Sequence, residues 1–348
     1  MDIALNQRGR SSNEFLASLA HYGGSIGAEV EQYIADAGLS ESVLEQDYSA
    51  RADQITSVLR SSKVFQLEML INEWLSINHG LVAIDAFEEI SATVEPLLQQ
   101  QSVGCCELTL NPDCVIPEYW QGVAIHRTTG GWDGHEHMGF IHREIIHKRY
   151  VSERYPWKIF LQRAQVLEEL PPSASFDTIL EMGCGTGHYT FALAERFPDA
   201  QIWGCDLSAT LLRQAQRVAN AHHWPWKLFQ APAEDTGLAA DQFDLVTSYI
   251  LLHELPATAI EKMFNEAFRV LKPGGTVMMS DARPLWDMDK LTQWRTLHRA
   301  HYGGEPFWQE ATSLNLQDLL QSIGFEQATS YGLGDARYPW VTTGVKPQ

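Results

Sequence analysis

The stretch Phe176 to Gly187, FDTILEMGCGTG, constrains this chain more than any other: an apolar run ends in an acid, Glu181, and glycines follow at 183, 185 and 187. Ile179 and Leu180 suit a buried strand, and glycines directly behind it let backbone N–H groups approach a ligand that side chains would exclude. His188 to Arg196 continues in a helical pattern, so the segment reads as strand, turn and helix. It departs from the dinucleotide fingerprint, whose G-x-G-x-x-G spacing sets a helix N-terminus against a pyrophosphate. Here the spacing is G-x-G-x-G after an acid, with His at 188. A carboxylate beside the loop repels a pyrophosphate and favours a ligand that carries an ammonium and a sulfonium.

Spacing downstream extends the pattern. Asp206 in IWGCDLS ends a second short apolar run 19 residues past Gly187, where a carboxylate accepts both ribose hydroxyls of a nucleoside. Further signals are FQAPAE at 229–234, the buried-strand run FDLVTSYILLHEL at 243–255, and LKPGG at 271–275 turning a helix into TVMMSD. Each acid alone suits a solvated loop end equally well. Together these motifs resemble the class I S-adenosylmethionine-dependent methyltransferases, and so does the end of the chain, with its GF turn and WVTTGVKP.

The resemblance covers residues 155–348. It implies an α/β fold: a Rossmann-like, seven-stranded methyltransferase sheet with helices on both faces and S-adenosyl-L-methionine as cofactor. The cofactor-binding set it implies is Glu181, Gly183, Cys184, Gly185, Gly187, Asp206, Leu207, Ala233, Glu234 and Tyr249. Many relatives have Asp where this chain has Pro232, so the adenine contact falls to Glu234 and neighbouring backbone.

Charge narrows the acceptor. With 25 Lys and Arg against 44 Asp and Glu the chain is formally −19, a sign that discourages nucleic acid and anionic membrane as partners. A small-molecule substrate is expected. The first residues, MDIALNQRGRSSNEF, lack a basic stretch followed by an apolar core, and no apolar run approaches about 20 residues, so a cytoplasmic protein is expected. Cys105, Cys106, Cys114, Cys184 and Cys205 form no metal-spaced set and read as reduced thiols.

From Asn13 to Gln100 apolar residues recur at helical spacing, as in Val30, Tyr33, Ile34 and Ala37, then Val64, Leu67, Leu70, Ile71 and Trp74. Four or five helices are expected, with Gly38 as a stop and Ser40 as a start. The chain therefore divides into an all-α domain at 1–104, a linking segment at 105–155, and the cofactor domain at 156–348 with an insertion at 282–313. Such a leader resembles the dimerising segment of small-molecule O-methyltransferases, which implies a homodimer. Amphipathic helices too few to bury both faces also tend to find another surface.

Residues 105–155 gather proline, glycine, aromatics and histidine, and substrate contacts are expected there from Tyr119, Trp132, His135, Arg143 and His147. Gly139 to Glu153 reads as a helix burying Ile141, Ile145 and Ile146. Tyr150 and Tyr155 are further candidates. The insertion hangs beyond the strand ends, where open α/β sheets bind ligands, so Arg283, Trp286 and Arg299 are expected at the substrate, beside Trp294, Arg295, Phe307 and Trp308. Aromatics at helical spacing serve equally well as core.

Methyl transfer is an in-line displacement that needs alignment and removal of a proton from the acceptor. His253 in ILLHEL sits at a strand end and matches the catalytic His of plant-type O-methyltransferases, whose motif reads L-H-D; here Glu254 follows. His253, His142 and Glu254 are the candidate catalytic residues, acting on an O or S atom of a small polar or acidic metabolite. Two alternatives stand beside this. One is a metal-assisted enzyme using His126, His135, His137, His142 and His147, although H-E-H matches no tight ligand motif. The other is a non-catalytic scaffold.

Overall fold

The computed structural model describes residues 3–128, 130–152 and 159–348. Helix α1 (Gln7–Asp36) turns Leu16, Ile26, Val30 and Ile34 inward, and α3 (Lys63–Glu88) meets it with Ile71, Leu75, Ala83 and Phe87. With α2 (Tyr48–Leu59) and α4 (Ser91–Gln101) these form the expected helical layer. Gly38, at φ +74°, ends α1 as predicted. Ser40 starts no helix, because the first free N–H groups of α2 are met by Asp47, whose carboxylate accepts from Ala50 N at 2.9 Å.

The sheet has eight strands in the order β1-β4-β3-β2-β5-β6-β8-β7. Seven are those expected: β2 (Thr178–Met182), β3 (Gln201–Asp206), β4 (Lys227–Gln230), β5 (Phe243–Tyr249), β6 (Leu271–Asp281), β7 (Glu326–Gly332) and β8 (Trp340–Val345). The eighth, β1 (Glu107–Thr109), comes from the linking segment and pairs in parallel with β4 at the edge. Strands β2 to β6 are parallel to one another, whereas β8 runs antiparallel to both β6 and β7. Successive residues of β2 serve opposite faces, as alternation dictates. Ile179 packs with Leu193, Leu212 and Ala215, and Leu180 with Ile260, Met263 and Phe264.

The linking segment runs through short turns and then α5 (Met138–Phe140), which widens into π-type winding over Ile141–Val151. Ile141, Ile145 and Ile146 are buried as predicted, inside the helical layer. Tyr150 joins them, stacked on His79 at 5.3 Å, and is thereby removed from any substrate role. Tyr155 lies outside the described residues. Among the described residues no helix is long and apolar enough to cross a membrane.

Candidate active site

Strands β2 and β5 flank the place where the sheet reverses its winding, the usual ligand crevice of an open α/β sheet. After β2 the chain turns through Gly183, Gly185 and Gly187 with φ of +70°, +52° and +77°, a backbone that other residues adopt only under strain. A Cβ on Gly185 would meet nothing within 4 Å, so the loop is open there. Gly183 N and Cys184 N both donate to Cys205 O at 2.9 Å, fastening the loop to the end of β3. At that end Asp206 accepts from Gly185 N on one oxygen and from Ser208 N on the other, each at 2.8 Å. Each oxygen retains a lone pair for a hydroxyl. Burial raises the Asp206 carboxyl to about 7 against the pull of those two N–H donors.

Glu181 closes the other side of the loop. It is 1% exposed and accepts a hydrogen bond from Thr190 Oγ1. Burial raises its carboxyl to about 8, opposed by Thr190 and Arg163 and reinforced by Asp206. A cation lodged against it would restore the carboxylate. Further along, Tyr119 Oη donates to Glu234 Oε1 at 2.7 Å, while Glu234 Oε2 is buried with no hydrogen-bond partner among the described residues. Tyr249 Oη, at the end of β5, is likewise buried and unpartnered.

Beyond β5 lies a second constellation. His253 is 4% exposed, and its Nδ1 lies 2.8 Å from Asp281 Oδ1 at the end of β6. Asp281 is itself fixed by Leu252 N at 2.7 Å and Ala282 N at 2.6 Å. Burial opposes the imidazolium of His253, but Asp281, Glu305 and Glu254 outweigh it and hold the pKa at about 9. Glu254 receives the Trp132 indole N–H at 3.3 Å and lies 3.5 Å from His126 Nε2. His126 Nδ1 in turn lies 2.6 Å from Glu305 Oε1. Trp308 closes over His253 at 4.9 Å between ring centres.

Residues 179–275 match a protein-family model described as a methyltransferase domain. Those residues form a methyltransferase domain of the class I, S-adenosylmethionine-dependent type. Among curated relatives of this methyltransferase, the malonyl-[acyl-carrier protein] O-methyltransferase of Legionella pneumophila is 32% identical over 116 residues, 33% of this chain and 40% of the relative. The trans-aconitate 2-methyltransferase of Deinococcus radiodurans is 32% identical over 114 residues, 33% of this chain and 41% of the relative. A ubiquinone/menaquinone biosynthesis C-methyltransferase of Cereibacter sphaeroides is 29% identical over 118 residues, 33% of this chain and 46% of the relative. The match thus spans less than half the length of each. Among solved structures, the phosphoethanolamine N-methyltransferase 2 of Haemonchus contortus in complex with S-adenosyl-L-methionine aligns with 59% of this chain and 60% of its own, at 16% identity and a TM-score of 0.43.

S-adenosylmethionine is the cofactor of this methyltransferase domain, and the residues present fit it. The open Gly185 turn, Asp206 with lone pairs to spare, Glu234 Oε2 and the desolvated Glu181 would offer it a backbone cradle, a hydroxyl acceptor, a polar end and an anion. Cys184 and Ala233 could offer it backbone only, since both side chains are buried in the sheet's two cores. Leu207 O is taken by Gln230 Nε2 at 2.9 Å.

The expected substrate residues divide. Trp132 reaches the acceptor end, with its ring 5.4 Å from His126 and 4.6 Å from His142. Arg143 reaches the loop, donating to Thr186 O at 2.9 Å. His142 and His147 stand in a run of rings with His188, each neighbouring pair 4.7 Å apart. Burial first, then neighbouring His126, His79 and Arg163, depress His142 to about 3, and no carboxylate hydrogen-bonds its buried Nδ1. An imidazole so depressed is neutral, which corrects its expected acid–base role. His147 is held low in the same way.

Other expectations fail because nearer partners claim the side chains. Tyr119 serves Glu234 at the cofactor end. His135 lies 2.8 Å from Glu88 and His137 3.6 Å from Glu95, both on the helical layer. The five-histidine metal group therefore does not converge. Within the insertion, α6 (Lys290–Gly303) docks on the helical layer: Trp294 enters its core and Arg295 bonds Glu68 at 2.9 Å. Arg299 follows it to Glu68 and is 59% exposed. Arg283 is paired with Asp287 at 2.7 Å, and Trp286 is half exposed, bonded to Leu314 O. Among the described residues of the insertion, Ala282 and residues 304–308 reach the site.

Asp281, Glu305 and Arg163 were missed. The signal for Asp281 was present: an acid ending the strand adjacent to that of His253, with Tyr249 paired to Ser280. Glu305 had none, because its approach depends on how α6 docks.

Proposed function

We propose that this chain transfers a methyl group from S-adenosylmethionine to an oxygen or sulfur atom of a small polar or acidic metabolite. The observation that carries this is the second constellation: two imidazoles, each held by a carboxylate, beyond the strand end next to the glycine loop. When bound, the cofactor supplies an electrophilic methyl on its sulfonium. Everything else is positioning and proton handling by the chain. Trp132 and Trp308 wall the acceptor end and keep water out. The acceptor's proton is taken within the cluster, whose carboxylates stabilise the charge it brings. Good alignment supplies about 7–11 kcal/mol and a general base roughly 10²–10⁴ in rate.

An acidic acceptor is favoured by Arg143 and by Arg163, which is 6% exposed and lies 5.3 Å from the Tyr249 ring centre. These two take the place of the insertion arginines as the cations nearest the loop. The test is transfer of labelled methyl from S-adenosylmethionine to a panel of small hydroxy acids, thiols and amines. Transfer to amines alone would overturn the choice of atom, and failure of the native chain to bind S-adenosylhomocysteine would overturn the activity.

We further propose a homodimer through the helical layer. Leu67, Leu70, Trp74, Ile77 and Leu81 are all exposed at helical spacing along α3, with Phe15 of α1 against Trp74 at 5.8 Å and Tyr22 nearby on α1. Monomers rarely leave so continuous an apolar stripe uncovered, and a second copy of a strongly acidic chain is accommodated best on an uncharged face. Light scattering should give twice the chain mass, falling to the single mass in Leu70→Glu/Trp74→Glu. A native monomer would overturn this.

A further inference from the structure

We propose that His126, His253 and Glu254 bind a divalent transition-metal ion that takes an oxygen of the acceptor as a further ligand. One ligand atom from each lies within 4.8 Å of the other two. This deepens the proposed function and rests on the acceptor lying beyond β5.

Two features distinguish this cluster from a chance gathering of polar groups. First, both imidazoles have Nδ1 on a carboxylate, His253 on Asp281 at 2.8 Å and His126 on Glu305 at 2.6 Å. That is the outer-shell arrangement by which metal-binding histidines are held in one tautomer with Nε2 presented to the ion, and here it occurs twice. Second, His126 Nε2 and Glu254 Oε1 are 3.5 Å apart, beyond the usual hydrogen-bond range. Two ligands about 2.1 Å from a tetrahedral ion stand about 3.4 Å apart. The second oxygen of Glu254 is steadied by the Trp132 N–H at 3.3 Å, so this ligand too has an orienting partner.

The backbone is spent on placing His126. His126 and Arg127 both have left-handed φ, +52° and +56°, and His126 N is tied to Gly304 O at 3.0 Å. The turn that brings Glu305 to His126 is therefore fixed to the strained turn that aims it. Charge points the same way: three carboxylates, Asp281, Glu254 and Glu305, face two imidazoles. A divalent ion with two neutral imidazoles leaves the same net charge as two imidazolium groups, so the nest accepts either. Two imidazoles and one carboxylate suit zinc, iron(II), manganese or cobalt better than calcium or magnesium. Three protein ligands leave a position open for the acceptor, whose hydroxyl is acidified by coordination.

The test uses the purified full chain, stripped by chelator and titrated with cobalt(II) alone. Saturable visible absorption at one equivalent per chain is expected, with protons released on binding. His126→Ala and Glu254→Gln should each abolish it, and Glu305→Gln, which removes only an orienting group, should weaken it roughly 10–100-fold. S-adenosylhomocysteine affinity, measured by calorimetry, should stay unchanged in all three and so report an intact fold. No saturable absorption, the same absorption in His126→Ala, or a thiolate charge-transfer band pointing to Cys105 would each overturn the site. Methyl transfer that persists in the stripped chain would remove the metal and leave the methyltransferase. Cobalt binding by a native chain that does not bind S-adenosylhomocysteine would do the reverse.

Discussion

The proposed donor and acceptor sides of this site lie at the ends of neighbouring strands, yet they are assembled by opposite means. On the donor side Glu181, the glycine loop and Asp206 come from two neighbouring parallel strands, and the backbone itself makes the key bonds to Asp206. On the acceptor side His126, Trp132, His253, Asp281 and Glu305 come from four distant stretches of chain and meet mainly through side chains, with backbone ties at Leu252 N and Gly304 O. A site built on local backbone tolerates variation around it; one built on long-range side-chain contacts can be retuned at each. That contrast predicts where substitutions change catalysis without touching cofactor binding.

The largest effect is expected at His253. His253→Gln should lower the methyl-transfer rate by about 10²–10⁴ while leaving S-adenosylhomocysteine binding as it was. Stopped single-turnover assays alongside calorimetry separate the two. Equal loss in both would dissolve the distinction between the sides. Next comes Asp206→Ala, whose loss of charge-assisted bonds should weaken S-adenosylhomocysteine by about 1–3 kcal/mol and free Gly185 N and Ser208 N. Unchanged affinity would mean that the ribose is held elsewhere.

The same contrast explains what was legible in the sequence. The sheet, the glycine loop and Asp206 could be read because their spacing is local and obeys strand and turn geometry, as Gly183, Gly185 and Gly187 in left-handed backbone illustrate. His253 was legible from its place at a strand end. Its partner Asp281 required knowing that β6 pairs with β5, and Glu305 required knowing that Trp294 and Arg295 dock on the helical layer. Arg283, Arg299 and His135 were misplaced for one reason: a polar side chain takes a nearby acid, and Asp287, Glu68 and Glu88 stand within reach of them. Nothing in the linear order ranks those distances.

A smaller effect tests the donor side through protons. Glu181 has its carboxyl raised from 4.5 to about 8, with Thr190, Arg163 and Asp206 the groups around it. A raised carboxyl means the folded chain binds a proton more tightly than the unfolded one. This contribution to stability is complete below about 4.5 and is lost as pH rises through about 8. Cofactor brings positive charge to Glu181 and expels that proton, so binding should release protons between these limits and cease to do so above about 8. Calorimetry of S-adenosylmethionine binding in buffers of different ionisation enthalpy measures the release. Glu181→Gln should remove most of it; an undiminished release in that variant would assign the proton to another group.

The smallest effects should come from the residues that look most like a lid in sequence. Arg299 is 59% exposed and, among the described residues, paired with Glu68, and Trp286 is half exposed against Trp340. Arg299→Ala and Trp286→Ala should therefore change stability by about 0.5 kcal/mol or less and leave KM for the acceptor within about twofold. Glu305→Gln, from the same insertion, should by contrast alter turnover, because Glu305 alone among these three reaches His126. Steady-state kinetics on the three variants would settle which part of residues 282–313 belongs to the acceptor side. A raised KM in Arg299→Ala would place α6 over the substrate after all and erase the division drawn between the two sides.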